Sequence, residues 1–120
     1  MIFSESLRKN RDFQQVYREG RSAANRFLVM IVRENLLQKN RVGISVSKKV
    51  GNSVVRHRLT RLVREGYRLQ EHCFQKGYDV VFIVRVNAGQ CTYHEIERAI
   101  YRLAEKQHLL VNHGGENTES

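Results

Sequence analysis

The spacing of apolar residues changes several times along the chain, and each change marks an element. Val42, Ile44 and Val46 alternate with Gly43, Ser45 and Ser47, the period of a strand with one face buried. After Gly51-Asn52 the repeat becomes helical. On a wheel of about 3.6 residues per turn, residues 54–69 gather Val55, Leu59, Leu62, Val63 and Leu69 into an apolar arc of about 120°, with Val54 left outside it. Arg56, Thr60, Arg64, His57, Arg68, Arg61 and Arg58 occupy the other side, over about 200°.

Upstream, Asn10 reads as an N-cap, Asp12 lies in the first turn, Phe13, Val16 and Tyr17 share one face, and Gly20 is a stop, giving a short helix with an aromatic edge. By residue type alone, Phe13 and Tyr17 are ordinary core residues. The nearly continuous apolar run RFLVMIVRE at 26–34 predicts a strand covered on both faces for part of its length, joined through 36–40 to an antiparallel strand at 42–47. Beyond the long helix, Lys76-Gly77 marks a loop, and YDVVFIVRV at 78–86 is the most β-prone run and the expected central strand. Thr92-Tyr93-His94-Glu95 has the form of a capping box, followed by the core stripe Ile96, Ala99, Ile100 and Leu103 of a closing helix that ends near Leu110. The order helix, strand, strand, strand, helix, strand, helix defines an α+β domain with helices packed on a mixed sheet. Residues 1–113 form this single domain, and 114–120 read as a frayed polar tail.

Charge changes the picture at one place. Between Arg41 and Arg68 stand eight basic residues (Arg41, Lys48, Lys49, Arg56, Arg58, Arg61, Arg64 and Arg68) and one acid, Glu65, a net +7 of the chain's +9. An ordinary solvated helix face interleaves acids with bases so that pairs form one turn apart. Here only Glu65 offers that. Five arginines and no lysine between 56 and 68 suit a planar acceptor such as phosphate or a base. A membrane-surface helix would carry bulky aromatics on its apolar side, whereas this one carries medium aliphatics and is flanked by strands. Nucleic acid is the expected partner class.

Composition excludes several classes. With 120 residues, 41% of them hydrophobic, the chain can form one core and not two. Cys73 and Cys91 have no metal-binding spacing and read as reduced thiols. No apolar run reaches a membrane span, and Met1-Ile2-Phe3-Ser4-Glu5 lacks the basic start of a signal peptide, so the expected location is the cytoplasm. A metal-free nuclease needs a general base and a general acid. His57, His72, His94, His108 and His113 form no recognisable pair for that work, His94-Glu95 lacks the second ligand of an HExxH site, and no acidic cluster is present for two divalent ions. No catalytic residue and no metal ligand is assigned to the chain, so any chemistry must come from a partner.

The run from Lys48 to Glu65, KKVGNSVVRHRLTRLVRE, resembles the signature helix of the bacterial ribonuclease P protein component, usually R-N-R-x-K-R-x-x-R after a K-x-G-N-A-V turn. His57 stands where Asn is usual, Thr60 where Lys is usual and Ser53 where Ala is usual, and the arginines are retained. The likeness extends upstream through Ser6-Leu7-Arg8-Lys9-Asn10-Arg11-Asp12-Phe13 and Ala24-Asn25-Arg26, and more loosely downstream to about His108. The resemblance implies a ribosomal-protein-like fold with a left-handed β-α-β crossover, where the general rule would give a right-handed one. It implies that Lys48, Lys49, Asn52, Arg56, His57, Arg58, Arg61, Arg64 and Arg68 bind the catalytic RNA subunit. It also implies that Phe13, Tyr17, Asn25, Ile31 and Ser45 line a cleft for the single-stranded 5′ leader of precursor tRNA, where aromatic rings suit stacking on bases.

Family members often carry a further aromatic near Met30 or Ile31, and this chain does not. The expected cofactors are none for the protein alone and magnesium for the RNA–protein complex, with no membrane and no obligate protein partner. The expected reaction is endonucleolytic removal of the leader, catalysed by the RNA. Two other readings stay open on the residues themselves: a structural RNA-binding protein such as a ribosomal component, and a DNA-binding module. The broad spread of cations argues against the second, since groove-reading helices mix amides and small residues among their arginines.

Overall fold

A computed structural model describes residues 1–111 of the chain, so the tail read at 114–120 lies outside the described residues. The strands are β1 (Ser4–Ser6), β2 (Arg21–Ala24), β3 (Leu28–Glu34), β4 (Asn40–Val46) and β5 (Tyr78–Val84); the helices are α1 (Asn10–Glu19), α2 (Ser53–Gln70) and α3 (Tyr93–Lys106). They form one five-stranded sheet in the order β1-β4-β5-β3-β2. β1 and β5 both run parallel to β4, while β3 is antiparallel to β5 and to β2, so the sheet is mixed.

The expected central strand is central, but it separates two strands expected to be neighbours. β3 and β4 run in opposite directions as the short connection demands, yet each pairs with β5 and not with the other. β5 can fill that slot because Val80, Val81 and Phe82 are all fully buried, offering apolar side chains to both faces. The expected order counts three strands between the first two helices while the apolar pattern locates only two; β2, which that pattern does not place, forms a hairpin with β3. β1 adds an edge strand that the apolar pattern does not announce. It is held from outside: the carboxylate of Glu71 accepts the backbone N–H of Ile2 at 2.6 Å and of Phe3 at 3.0 Å.

The two faces of the sheet are covered unequally. On one, α2 and α3 bury Leu28, Met30, Val32, Val80, Phe82 and Val84 under Leu59, Val63, Tyr67, Ile96, Ile100 and Leu103. On the other, α1 alone packs Val16 over Leu7, Ile31 and Val81, with Phe13, Val29 and Ile83 only partly covered. Six strand residues and their helical partners make the first face the main core, and the second face is left with open ground.

Local chemistry sets the helix ends. Asn52 caps α2 by accepting the N–H of Val55 at 3.0 Å. The predicted capping box of α3 is complete: the Glu95 N–H donates to Thr92 Oγ1 at 3.2 Å and the Thr92 N–H donates to Glu95 Oε1 at 2.9 Å. α1 begins differently, for Lys9 holds the cap position without a side-chain bond and Asn10 is already helical. α3 stops at Lys106, and the chain continues through a bridge between Phe74 and Leu110.

One core assignment on α2 fails. Leu69 is 46% exposed, whereas Gly66, Tyr67 and Gln70 are buried. The buried stripe runs Leu59, Val63, Gly66, Tyr67, Gln70 because α3 crosses α2 there: a Cβ on Gly66 would stand 2.8 Å from Ile100 Cδ1.

Tyr67 joins this core to the edge of the sheet. Its ring is fully buried, and its hydroxyl lies 2.7 Å from Ser4 Oγ and accepts Asn40 Nδ2 at 3.1 Å. Tyr67→Phe keeps the ring and removes both bonds, so it should cost about 1–2 kcal/mol in urea unfolding, the range for a lost hydrogen bond that leaves a buried donor short of a partner.

Candidate nucleic-acid interface

Two surfaces meet on this scaffold. The first is the open part of the sheet face beside α1. By register, Gly43 and Ser45 of β4, Val81 and Ile83 of β5, and Ile31 and Val29 of β3 share that face. The Phe13 ring rests on Gly43, where a Cβ would come within 2.5 Å of Phe13 Cζ, so only glycine lets the ring lie this close to the sheet. Tyr17 stands beside it, with ring centroids 6.3 Å apart and planes tilted by 54°, and is 37% exposed. Half-buried Val29, Ile83 and Ser45 continue the floor away from the helix.

Of the residues expected in a leader cleft, Phe13, Tyr17 and Ser45 therefore share this face. Ile31 is on the correct face but is covered, because the end of α1 passes over it and a Cβ on Gly20 would lie 2.7 Å from Ile31 Cγ2. Met30 points into the opposite core. Asn25 is committed to the β2–β3 turn: its Oδ1 accepts the N–H groups of Phe27 and Leu28 at 3.3 and 3.1 Å, and its Nδ2 donates to the Ala99 carbonyl at 3.0 Å. Its amide anchors the hairpin to α3. Val29 and Ile83, which the sequence reading passed over, take the half-buried positions of the open floor.

What holds α1 in this pose is an ion network that the sequence reading also missed. Asp79, in the central strand, is 1% exposed. It accepts Arg41 Nε at 2.8 Å and Nη2 at 2.7 Å, Asn35 Nδ2 at 2.9 Å and Arg33 Nη1 at 3.2 Å. Arg33 also donates to Glu19 at 2.9 Å, and Arg41 lies 3.7 Å from Asp12. The two acids sit at opposite ends of α1, so the helix is gripped at both ends by arginines that Asp79 orients. A lone acid inside an apolar β run was the available signal. Burial opposes the charge on Asp79, but the Arg41 guanidinium, the Asn35 amide and Arg33 outweigh it and hold the carboxyl below the usual aspartate range.

The second surface is the outer side of α2. Its cations are not equivalent. Arg56 donates to the Gly51 carbonyl at 3.1 Å, Arg58 donates to the Cys91 carbonyl, and Arg68 pairs with Glu65 at 3.0 and 2.5 Å. The Asn52 side chain is used as the cap. Lys48, Lys49, His57, Arg61 and Arg64 are exposed and make no hydrogen bond or ion pair with any described residue. Lys48 and Lys49 lie in a short turn pinned by buried Val50, next to the positive end of α2.

The two surfaces are contiguous. An open groove of about 520 Å³ beside α2, lined by Ile44, Val46, Arg56, Thr60, Arg61 and Arg64, meets a cavity of about 90 Å³ that contains Phe13, Leu7 and Gly43, and Ile44 and Arg64 belong to both. No three His, Cys, Asp or Glu residues come together to hold a metal among the described residues, and Asp12, Glu19 and Asp79 are each engaged by arginine. These residues do not fit a resident divalent ion. No described helix is long and apolar enough to cross a membrane.

A small basic α+β domain that sets an aromatic-edged sheet face beside an arginine helix combines two features suited to nucleic acid: rings with the flat faces that bases stack on, and cations with the geometry that phosphates accept. The family model for ribonuclease P matches residues 2–108. The ribonuclease P protein component of Alkaliphilus metalliredigens is 49% identical over 110 residues, covering 92% of this chain and 99% of its own, and that of Lachnoclostridium phytofermentans is 50% identical over 109 residues, covering 91% and 93%. Among solved structures, the Staphylococcus aureus RNase P protein superposes with a TM-score of 0.81 at 32% identity, covering 88% of this chain and 97% of its own. The Thermotoga maritima protein gives 0.78 at 30%, covering 84% and 96%. The chain belongs to the bacterial ribonuclease P protein component family.

Because the folded-state pKa of Asp79 is depressed, the stability it contributes is fully present above the ordinary aspartate range and is lost as pH falls through the lower folded value. Asp79→Asn should lower stability at neutral pH by about 2–4 kcal/mol, a broken buried pair discounted for arginines that remain partly wet. It should also flatten the fall in stability as pH drops through and below the ordinary aspartate range. Chemical denaturation of both proteins from neutral pH into acid measures both effects.

Proposed function

We propose that the chain is the protein subunit of a bacterial ribonuclease P, acting in tRNA 5′ maturation in the cytoplasm, with the reaction carried out by an RNA partner. In this reading α2 with Lys48 and Lys49 docks on the catalytic RNA, and the sheet face beside Phe13 and Tyr17 holds the single-stranded 5′ leader of precursor tRNA. The observation that carries it is the continuity of the two surfaces at Ile44 and Arg64: an RNA strand leaving the aromatic face arrives directly at unpartnered cations.

The physical contribution of each surface follows from its chemistry. Exposed, unpaired Arg61, Arg64, Lys48 and Lys49 release counterions when they meet phosphates, which gives affinity without requiring a base sequence. Rings at the edge of an apolar floor accept any base by its face. Binding the leader at a distance from the scissile bond positions that bond, since the substrate's remote contacts fix the geometry of the reacting part. Among the described residues no ligand set for a divalent ion is gathered, and in this reading the magnesium of the complex is held by RNA phosphates while the protein supplies cations near the two RNAs.

The division of labour is tested with two kinds of variant. Arg61→Ala with Arg64→Ala should weaken binding to the RNA subunit and reduce the log–log salt slope by about two, one for each lost phosphate contact, without changing the melting transition. Phe13→Ala should cost about 1–3 kcal/mol in binding precursor tRNA by the assembled complex, the range for one stacked base, and leave mature tRNA unaffected. An unchanged salt slope, or equal losses for precursor and mature tRNA, would contradict the assignment. Arg58 is excluded from the binding test because it also ties α2 to the loop before α3.

A further inference from the structure

The outward side of α2 is not uniformly cationic. Val54, 75% exposed, and half-buried Leu62 lie on one helix face with His57, Arg58 and Arg61, at steps of three and four residues. The ring of Tyr93, at the start of α3, flanks that strip, and together these residues border an open groove of about 740 Å³. Apart from Arg64, the groove shares no residue with the cavity beside Phe13. Its floor is apolar and its rim carries guanidinium groups.

The rim is prepared for an anion. Arg58 is fixed by the carbonyls of Gly89 and Cys91. Glu65, the only acid in the lining, is neutralised by Arg68, whose guanidinium holds the Glu65 carboxyl below its usual range. Phosphates satisfy that rim but gain nothing from an exposed valine. A nucleobase does: its flat apolar face covers Val54 and Leu62, its edge or face meets the Tyr93 ring, and its own phosphates reach Arg61 and Arg64. A regular duplex cannot present such a face, because its bases are stacked and its outer surface is phosphate and sugar.

The geometry points to a second nucleotide site in this protein: the α2–α3 groove takes one unpaired base of the structured RNA against Tyr93, Val54 and Leu62. The inference rests on the docking of α2 on the RNA subunit and adds to it the kind of RNA element that docks there, an extruded base in place of a plain duplex backbone.

The test uses the full chain and a transcript of a bacterial ribonuclease P RNA. Tyr93→Leu keeps apolar bulk and loses the ring, while Tyr93→Phe keeps the ring and loses only a 3.4 Å bond to Glu97. Tyr93→Leu should bind the transcript about five- to a hundredfold more weakly, and Tyr93→Phe should match the parent protein within about twofold. Neither should change the ratio of precursor to mature tRNA binding. The chain contains no tryptophan, so Tyr93→Trp places a sole indole in the groove, and the transcript should quench its emission as a base stacks on it. Parent-like binding by Tyr93→Leu, or an unquenched indole at saturating transcript, overturns the site. If Tyr93→Leu does not melt cooperatively, the quenching result decides. Parent-like transcript binding by Arg61→Ala with Arg64→Ala would instead remove the underlying docking of α2, a distinct outcome.

Discussion

A buried carboxylate on the central strand is the interaction on which the functional surface depends. Asp79 is almost fully removed from water, a cost several kcal/mol too large for an unpaired charge, and it persists because two arginines and an amide donate four hydrogen bonds to it. Those arginines then reach the first and last turns of α1 through Asp12 and Glu19. Apolar contact alone would press α1 to the sheet through one fully buried residue, Val16, and leave its direction weakly defined. The ion network fixes both ends, sets Phe13 on Gly43, and so determines how much of the sheet face stays open.

Unequal cover is the second consequence. α2 and α3 together bury the opposite face so completely that the domain does not need the α1 face to be closed. The fold can therefore leave Val29, Ile83 and Ser45 half-buried beside Tyr17 without losing its main core. The same economy appears on α2, where the residues at Leu59, Val63 and Tyr67 anchor the helix while its opposite side carries cations. Arg56, Arg58 and Arg68 serve the local structure as well as the charge, so net charge overstates the number of side chains free to bind phosphate and still describes the long-range field correctly.

Much of this was legible in the residues where a local rule decides. The change of period at Gly51-Asn52, the capping box at Thr92 and the two-sided apolar run of β5 each need only neighbouring residues to interpret, and all three stand in the structure. The misses share a different cause. β1 is three residues long and mostly polar, and its partners are Asn40 and Glu71, far along the chain. Leu69 lost its core place to Tyr67 because the crossing of α3 at Gly66 sets which side of α2 is covered. Asn25 looked available until the carbonyl of Ala99 supplied its partner, and Ile31 until the end of α1 passed over it. Tertiary neighbours decided these positions, and no window of sequence contains them.

Photocrosslinking in the assembled complex tests most directly whether one protein face receives the leader while another receives the structured RNA, as proposed. Thiouridine placed along the leader of a precursor tRNA should crosslink to peptides containing Phe13, Tyr17, Val29 or Ile83, whereas thiouridine in the RNA subunit should crosslink to α2. Leader crosslinks confined to α2, with none on the α1 face of the sheet, would contradict the account.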